Sequence, residues 1–543
     1  MSSAGVFKIP KPKNEPILTY APGTREREEL MKKLRELKNR KMEIPLVIGG
    51  KKIKSEELGV CHCPHNHSLV LGYYHKALEE HVEKAIDVAL KAWNKWANMD
   101  WYHRAMIFLK AAELLAGPYR FEVNAAIMLC QSKTPREAEI DLAELVDFWR
   151  FNAYYMRFLY EQQPESLTGE LNRIDWRPLE GFVFAITPFN FFSIGGNLPT
   201  APAMMGNVVV WKPSAPVVYS NYYIMRILEE AGLPPGVINF IPGDAEKIAK
   251  IVLSHPSLAG IHFTGSTATF RKIWKTIGEN IHVYKSFPRI VGETGGKDFI
   301  FLHKSANIDE ALVAIIRGAF EYQGQKCSAA SRLYVPKSLW PKLKEKLLEE
   351  LGKVKVGDVE DFSNFMGALI TKEAFDKVVS YIEYAKAHPE DYEIVYGGKY
   401  DDGKGYFVWP TVIISRKPKG KLMEEEIFGP VLTVYVYDDD KYEETLKLCN
   451  ETSPYGLTGS IFAREREAIM IAEKILRWAA GNFYINDKPT GAIVNRQPFG
   501  GSRASGTNDK AGWWLNLLKW VTLRAVKENL KPPKKWKWPY MNT

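Results

Sequence analysis

The chain has 543 residues, 46% apolar and 25% charged, a globular balance expected to fill more than one structural unit. Lys plus Arg number 73 against 64 acids, a net charge of +9, which is too mild and too scattered for a nucleic-acid footprint. Five cysteines make no disulfide framework and point to reduced thiols inside a cell, no apolar run is long enough to span a bilayer, and the amino terminus resembles neither a secretory signal nor a transit peptide.

Residues 1–24 are rich in Pro and Lys and are expected to be extended. Leu30, Leu34 and Leu37 sit at helical spacing on a charged background, which predicts a surface helix over 25–41. The basic runs Lys32–Lys41 and Lys531–Lys537 read as solvated faces. Cys61-His62-Cys63-Pro64-His65-Asn66-His67 has the residue types of a metal site. The gap between its cysteines is a single residue and no second cysteine pair follows, so no metal is expected there. A helical pattern runs from His81 to about Tyr160, broken at Gly117-Pro118. Strand-like runs at 182–186, 208–212, 237–241 and 261–264 then alternate with helices at 216–231, 244–254 and 267–279. This rhythm predicts a parallel sheet with crossover helices, whose ligands bind at the carboxyl ends of the strands. A second α/β rhythm covers about 293–486, with strands near 299–302, 331–335, 431–437 and 459–462. Its helices are expected at 307–322, 338–351, 371–387, 440–450 and 465–478. Residues 164–180 and 515–543 fit neither block and suit a projecting ribbon or arm.

Cys327 is flanked by small and polar residues in Gln323-Gly324-Gln325-Lys326-Cys327-Ser328-Ala329-Ala330, just before a strand. Upstream, Glu293 stands in Gly292-Glu293-Thr294-Gly295-Gly296-Lys297. A thiol and a nearby base are the minimum equipment for covalent attack on a carbonyl. Glu293 is expected to act as general base, on the thiol or on a hydrolytic water, and burial would raise its pKa towards neutrality. Gly265-Ser266-Thr267 lies between a strand and a helix, where backbone N–H groups can bind a pyrophosphate. The G-x-G-x-x-G fingerprint is absent.

Six segments occur together in one order: Pro188-Phe189-Asn190-Phe191, Lys212-Pro213-Ser214, Phe263-Thr264-Gly265-Ser266-Thr267, Glu293-Thr294-Gly295-Gly296-Lys297, Gly324-Gln325-Lys326-Cys327 and Glu425-Glu426-Ile427-Phe428-Gly429-Pro430. Over roughly residues 45–530 the chain thereby resembles the aldehyde dehydrogenase superfamily. Thr294, Phe191, the 138–145 segment and the late loop Phe499–Gly512 are similar to the subgroup that oxidises L-glutamate γ-semialdehyde, formed from Δ1-pyrroline-5-carboxylate.

The resemblance implies a Rossmann-type cofactor domain (45–163 and 181–292) after an amino-terminal extension (1–44). It further implies an α/β catalytic domain (293–486), and an oligomerisation β-arm with a substrate-anchor loop (164–180 and 487–543). It makes Cys327 the nucleophile, Glu293 the base and Asn190 the oxyanion donor. It assigns Lys212, Ser214, Gly265, Ser266, Glu426, Phe428, Ile186 and Pro188 to the cofactor. NAD is expected; NADP stays open, because Ala215 stands where many NAD-selective relatives carry a Glu. The substrate carboxylate would rest on Ser328 and the backbone at Gly512-Trp513, and its ammonium on Glu144, with Glu139 second. Phe191 and Trp520 would wall its aliphatic stretch.

The implied activity is NAD-dependent oxidation of L-glutamate γ-semialdehyde to L-glutamate through a thiohemiacetal and a thioester, in proline breakdown. Alternatives are another semialdehyde such as succinate semialdehyde, a CoA-acylating enzyme, or a non-catalytic binding protein of the same fold. A homodimer or larger homo-oligomer is expected, with any proline dehydrogenase partner on a separate chain, and neither nucleic acid nor membrane as partner. The expected compartment is the cytoplasm, or the mitochondrial matrix in a eukaryote.

Overall fold

In the computed structural model, which describes residues 7–541, two seven-stranded sheets organise the chain. The first has the strand order Arg289–Glu293, Leu258–Thr264, Phe182–Ile186, Val208–Lys212, Ile238–Phe240, Leu46–Ile48, Lys51–Ile53. Its first five strands pair in parallel; the last two add an antiparallel edge. Val208, Val209, Val210 and Trp211 are each 0% exposed, as expected of a strand covered on both faces. The crossover helices Val218–Ala231, Ala245–Leu253 and Thr267–Glu279 fall close to their predicted positions.

The second sheet runs Tyr392–Tyr396, Thr411–Ser415, Val431–Tyr437, Ala330–Pro336, Asp298–Leu302, Thr458–Phe462, Asn482–Ile485. Only its first pairing is antiparallel. The strands at 46–48, 51–53, 392–396 and 411–415 do not stand out in the sequence. Short or half-buried strands carry too few alternating positions to show a period.

The long helical pattern resolves into Glu79–Ala97, Trp101–Ala116, Arg120–Gln131 and Pro135–Tyr160. A further helix, Phe192–Met204, contains Pro199 and Pro202. Proline inside a helix reads as a breaker, and these two hide the element from sequence reasoning. The 25–38 helix lies on the surface but buries Leu30, Leu34 and Leu37 to 3% exposure or less.

The Cys61–His67 cluster forms the end of a hairpin between Leu58–Cys63 and Asn66–His75. Cys63 Sγ lies 3.1 Å from His65 Nε2, whose Nδ1 meets Ser132 Oγ. Among the described residues no group of three or more His, Cys, Asp or Glu is placed to hold a metal ion. Glu170–Pro178 and Val521–Asn529 pair antiparallel over nine residues as a separate two-stranded ribbon, with Leu171 and Leu523 exposed. No helix among the described residues is long and apolar enough to cross a membrane.

Candidate active site

The site lies where the two sheets meet. Glu293 ends a strand of the first sheet, in register with Thr264. Five residues later Asp298 begins a strand of the second. Cys327 precedes the Ala330–Pro336 strand. The carboxyl edge of one sheet therefore faces the amino edge of the other. The carboxyl-end rule holds for the first sheet and is reversed for the second.

Glycines make this junction possible by close approach. A Cβ on Gly296 would stand 2.3 Å from the Cys327 carbonyl oxygen, and one on Gly295 would stand 2.4 Å from Glu426 Oε2. Protein atoms fill this room. The Gly296 N–H donates to Glu426 Oε1 at 2.8 Å, fixing that carboxylate beside the Cys327 loop.

Cys327 is partly exposed, whereas Cys61, Cys63, Cys130 and Cys449 are all buried. Its thiol pKa is pushed well above the ordinary value, first by desolvation and then by the charges of Asp298, Glu293 and Glu426. The thiol therefore rests protonated and needs a base. Glu293 is likewise raised well above a normal carboxyl, mainly by burial; the Lys510 ammonium opposes the shift and Asp509 reinforces it. Its Oε2 is buried without a hydrogen-bond partner, free to take a proton from a reacting group. Asn190 is 3% exposed and its Nδ2 donates to the Gln325 carbonyl at 3.2 Å, so the amide lies against the Cys327 loop.

Sequence reasoning missed what holds that loop. Tyr322, Gln323 and Gly324 are consecutively left-handed, with φ of 51°, 56° and 67°. Each non-glycine in this region stores on the order of 1–3 kcal/mol. Gln323 holds the strain in place: its Nε2 donates to the carbonyls of Ser132 and Ala368, and its Oε1 accepts from Gly367 N–H. Lys133, 0% exposed, lies 4.3 Å from the Phe191 ring and 4.4 Å from the Tyr322 ring and pairs with Asp141 at 2.6 Å. Only the Gly after Gln323 hints at the turn; Lys133 shows no local signal. Asp298, whose Oδ2 is buried and unpartnered, was also missed.

Most residues assigned to the cofactor gather at the first sheet's carboxyl edge. Lys212 and Ile186 are register partners at that edge, with Pro188 two residues on. Ser214 opens a short turn, its carbonyl accepting from Val217 N–H. Burial pushes the Lys212 ammonium down to about 8, against the pull of Asp244, and no carboxylate among the described residues lies within salt-bridge distance of it. Gly265 and Ser266 precede the Thr267–Glu279 helix, whose Thr269 N–H is capped by Ser266 Oγ. Gly265 N–H is taken by the Glu293 carbonyl, so only amides further into the helix face outward to an anion. Phe428 is left-handed at φ 62° and meets Phe189 edge-on at 5.7 Å. A half-buried, unpaired cation and a helix amino terminus on one edge fit a dinucleotide.

The expected substrate residues divide. Ser328 is buried beside Cys327 at 7% exposure. Gly512 is left-handed at φ 79°, and Trp513 packs on Trp514 at 5.3 Å. Glu144 accepts from Ser193 Oγ at 2.6 Å, and burial raises its carboxyl to about 7. Phe191 shields Lys133 as described. Two expectations fail. Trp520 is 0% exposed and packs on His262 and against Gly260, inside the first domain's core and away from the strand ends; it walls no cleft. Glu139 is consumed by Arg120, the Tyr20 O–H, Asn124 and the Leu18 N–H, which leaves no lone pair for an ammonium.

The chain belongs to the aldehyde dehydrogenase family, whose model matches residues 52–526. It is 50% identical over its whole length to the mitochondrial Delta-1-pyrroline-5-carboxylate dehydrogenase of Dictyostelium discoideum, covering 98% of that relative. It is 49% identical to the Homo sapiens mitochondrial protein of that name, over 97% of this chain and 94% of that one. The crystal structure of the Delta-pyrroline-5-carboxylate dehydrogenase of Mycobacterium tuberculosis bound with NAD superposes with a TM-score of 0.96 at 49% identity, covering all of both chains.

Proposed function

We propose that this chain is an NAD-dependent L-glutamate γ-semialdehyde dehydrogenase, acting on the open form of Δ1-pyrroline-5-carboxylate and releasing L-glutamate. The observation that carries this reading is full-length similarity near 50% to proteins named for that substrate, joined to a partly exposed Cys327 set against Glu293. Glu293 takes the thiol proton and passes it to solvent, and the Cys327 thiolate attacks the aldehyde carbon. Asn190 donates to the oxygen on which negative charge develops, a contact worth about 3 kcal/mol in such sites. NAD, held by the residues assigned to it, would supply the hydride acceptor. Glu293 then takes a proton from the water that hydrolyses the thioester. Lys212 and Glu426 hold the two riboses, and Ser266 with its helix faces the pyrophosphate. Ser328 and the Gly512-Trp513 backbone receive the α-carboxylate, and Glu144 receives the α-ammonium.

The ribbon of 170–178 and 521–529 suits an oligomerisation arm, since two strands alone are marginal in water and its apolar side chains are exposed. The names of the two eukaryotic relatives favour a mitochondrial site should this chain come from a eukaryote.

The test is NADH formation with pyrroline-5-carboxylate and with succinate semialdehyde. The expected result is a kcat/KM preference of at least about a hundredfold for the former, the scale set by leaving buried polar groups unpaired. Cys327→Ser is expected to lose several orders of magnitude with either aldehyde. Equal rates would overturn the substrate assignment, and an active Cys327→Ser would overturn the chemistry.

A further inference from the structure

The segment from Asn14 to Tyr20 is marked in the sequence only as extended, yet it carries a dense set of specific contacts. Asn14 Nδ2 donates to Asp147 Oδ2 at 2.8 Å and to the Val494 carbonyl at 3.0 Å. Asn14 Oδ1 accepts from Arg496 Nε at 3.2 Å. One side chain thus joins the Pro135–Tyr160 helix to the 494–496 turn. The neighbouring Glu15 N–H donates to Asp147 Oδ1 at 2.7 Å, and the Glu15 carboxylate holds Arg120 and Arg150, each at 2.6 Å.

Both elements that Asn14 joins bear on the substrate head group. Asp147 lies three residues past Glu144, on the same side of the helix. The 494–496 turn supports Gly512: Asn495 N–H donates to the Gly512 carbonyl at 3.3 Å, and a Cβ on Gly512 would lie 3.4 Å from Val494 Cγ1 and 3.5 Å from the Phe148 ring. The Tyr155 O–H, from the same helix, donates to Asn495 Oδ1. Recognition of an α-amino carboxylate needs its anionic and cationic partners at a fixed separation, and a displacement of about 1 Å is enough to cost affinity.

We infer that Asn14 is a positioning residue for substrate specificity, through which the amino-terminal segment clamps the Glu144 helix and the Gly512 turn into one rigid anchor for the head group. This rests on the substrate reading above. It gives the extended segment a role in the reaction although Asn14 contacts none of the groups assigned to the reacting atoms.

The test compares full-length wild type with Asn14→Ala on pyrroline-5-carboxylate and on propanal, which has no head group. The expected result is a KM for pyrroline-5-carboxylate raised about tenfold, with kcat held and both constants for propanal unchanged. By calorimetry the Kd for L-glutamate rises by a similar factor, while that for NAD does not move. Should Asn14→Ala not be recovered folded, Asn14→Ser, which replaces the carboxamide by a single shorter hydrogen-bonding group, is expected to show the same split at about threefold. An unchanged KM for pyrroline-5-carboxylate overturns the inference. So does a loss shared equally by propanal, which would mean a general structural role. A wild type without preference for pyrroline-5-carboxylate over propanal removes the substrate reading itself, and this inference with it.

Discussion

Cys327 and Glu293 both have pKa values raised well above their ordinary ranges, and chiefly for the same reason: each is desolvated, with nearby carboxylate charge adding to the shift. The sign of the pH dependence follows. Glu293 can accept a proton only when ionised, and its pKa is raised. The rate should therefore climb with pH through a range above that of ordinary carboxyls. A pH profile of kcat checks this, and Glu293→Gln should lose both the climb and at least about a hundredfold in rate. At this scale the sequence is informative where a residue type is rare in its setting. A cysteine among glycines and a glutamate among glycines stand out. Gln323, Lys133 and Asp298 do not, because their importance comes from partners far away in the chain, such as Ser132, Phe191 and Thr458. Trp520 misleads for the opposite reason: a large aromatic beside a loop looks like a wall until its core neighbours are known.

The elements that place the site are the parallel strands and the turns that end them. Their period is strong where both faces are covered, as at Val208–Lys212, and the crossover rhythm follows from it. The proline-bearing helix Phe192–Met204 and the short antiparallel edges are weak in sequence because tertiary packing, not local preference, maintains them. The 293–298 crossing between the sheets is sterically tight. A methyl at Gly295 would stand 2.4 Å from Glu426 Oε2. Gly295→Ala should therefore displace the carboxylate proposed to hold the nicotinamide ribose and raise the KM for NAD about tenfold, through a cost of ~1.4 kcal/mol. Steady-state titration with NAD checks this, and the thermal midpoint separates it from unfolding.

Across the whole molecule, two sheets meet edge to edge and buried polar groups hold the junction. Lys133 and Asp141, both 0% exposed and 2.6 Å apart, lie beneath it, with Asp141 also accepting the Phe192 and Ser193 N–H groups. Removing one partner strands a buried charge at a cost of about 3–5 kcal/mol. Lys133→Met should lower the unfolding midpoint by several degrees, and Asp141→Asn in the same chain should recover part of the loss, as scanning calorimetry would show. The two-domain α/β architecture was legible in the sequence because alternation is a chain-wide signal. The clamp at Asn14 was not, because its partners lie 133 and 480 residues away.

The central claim is that the substrate is carried on the Cys327 sulfur between hydride loss and water attack. Acid quench of the wild type within its first turnover of pyrroline-5-carboxylate and NAD, followed by mass analysis of the peptide bearing Cys327, tests it directly. The account predicts that this peptide gains a glutamyl acyl group as NADH appears. Full NADH formation with an unmodified Cys327 at every time point would contradict it.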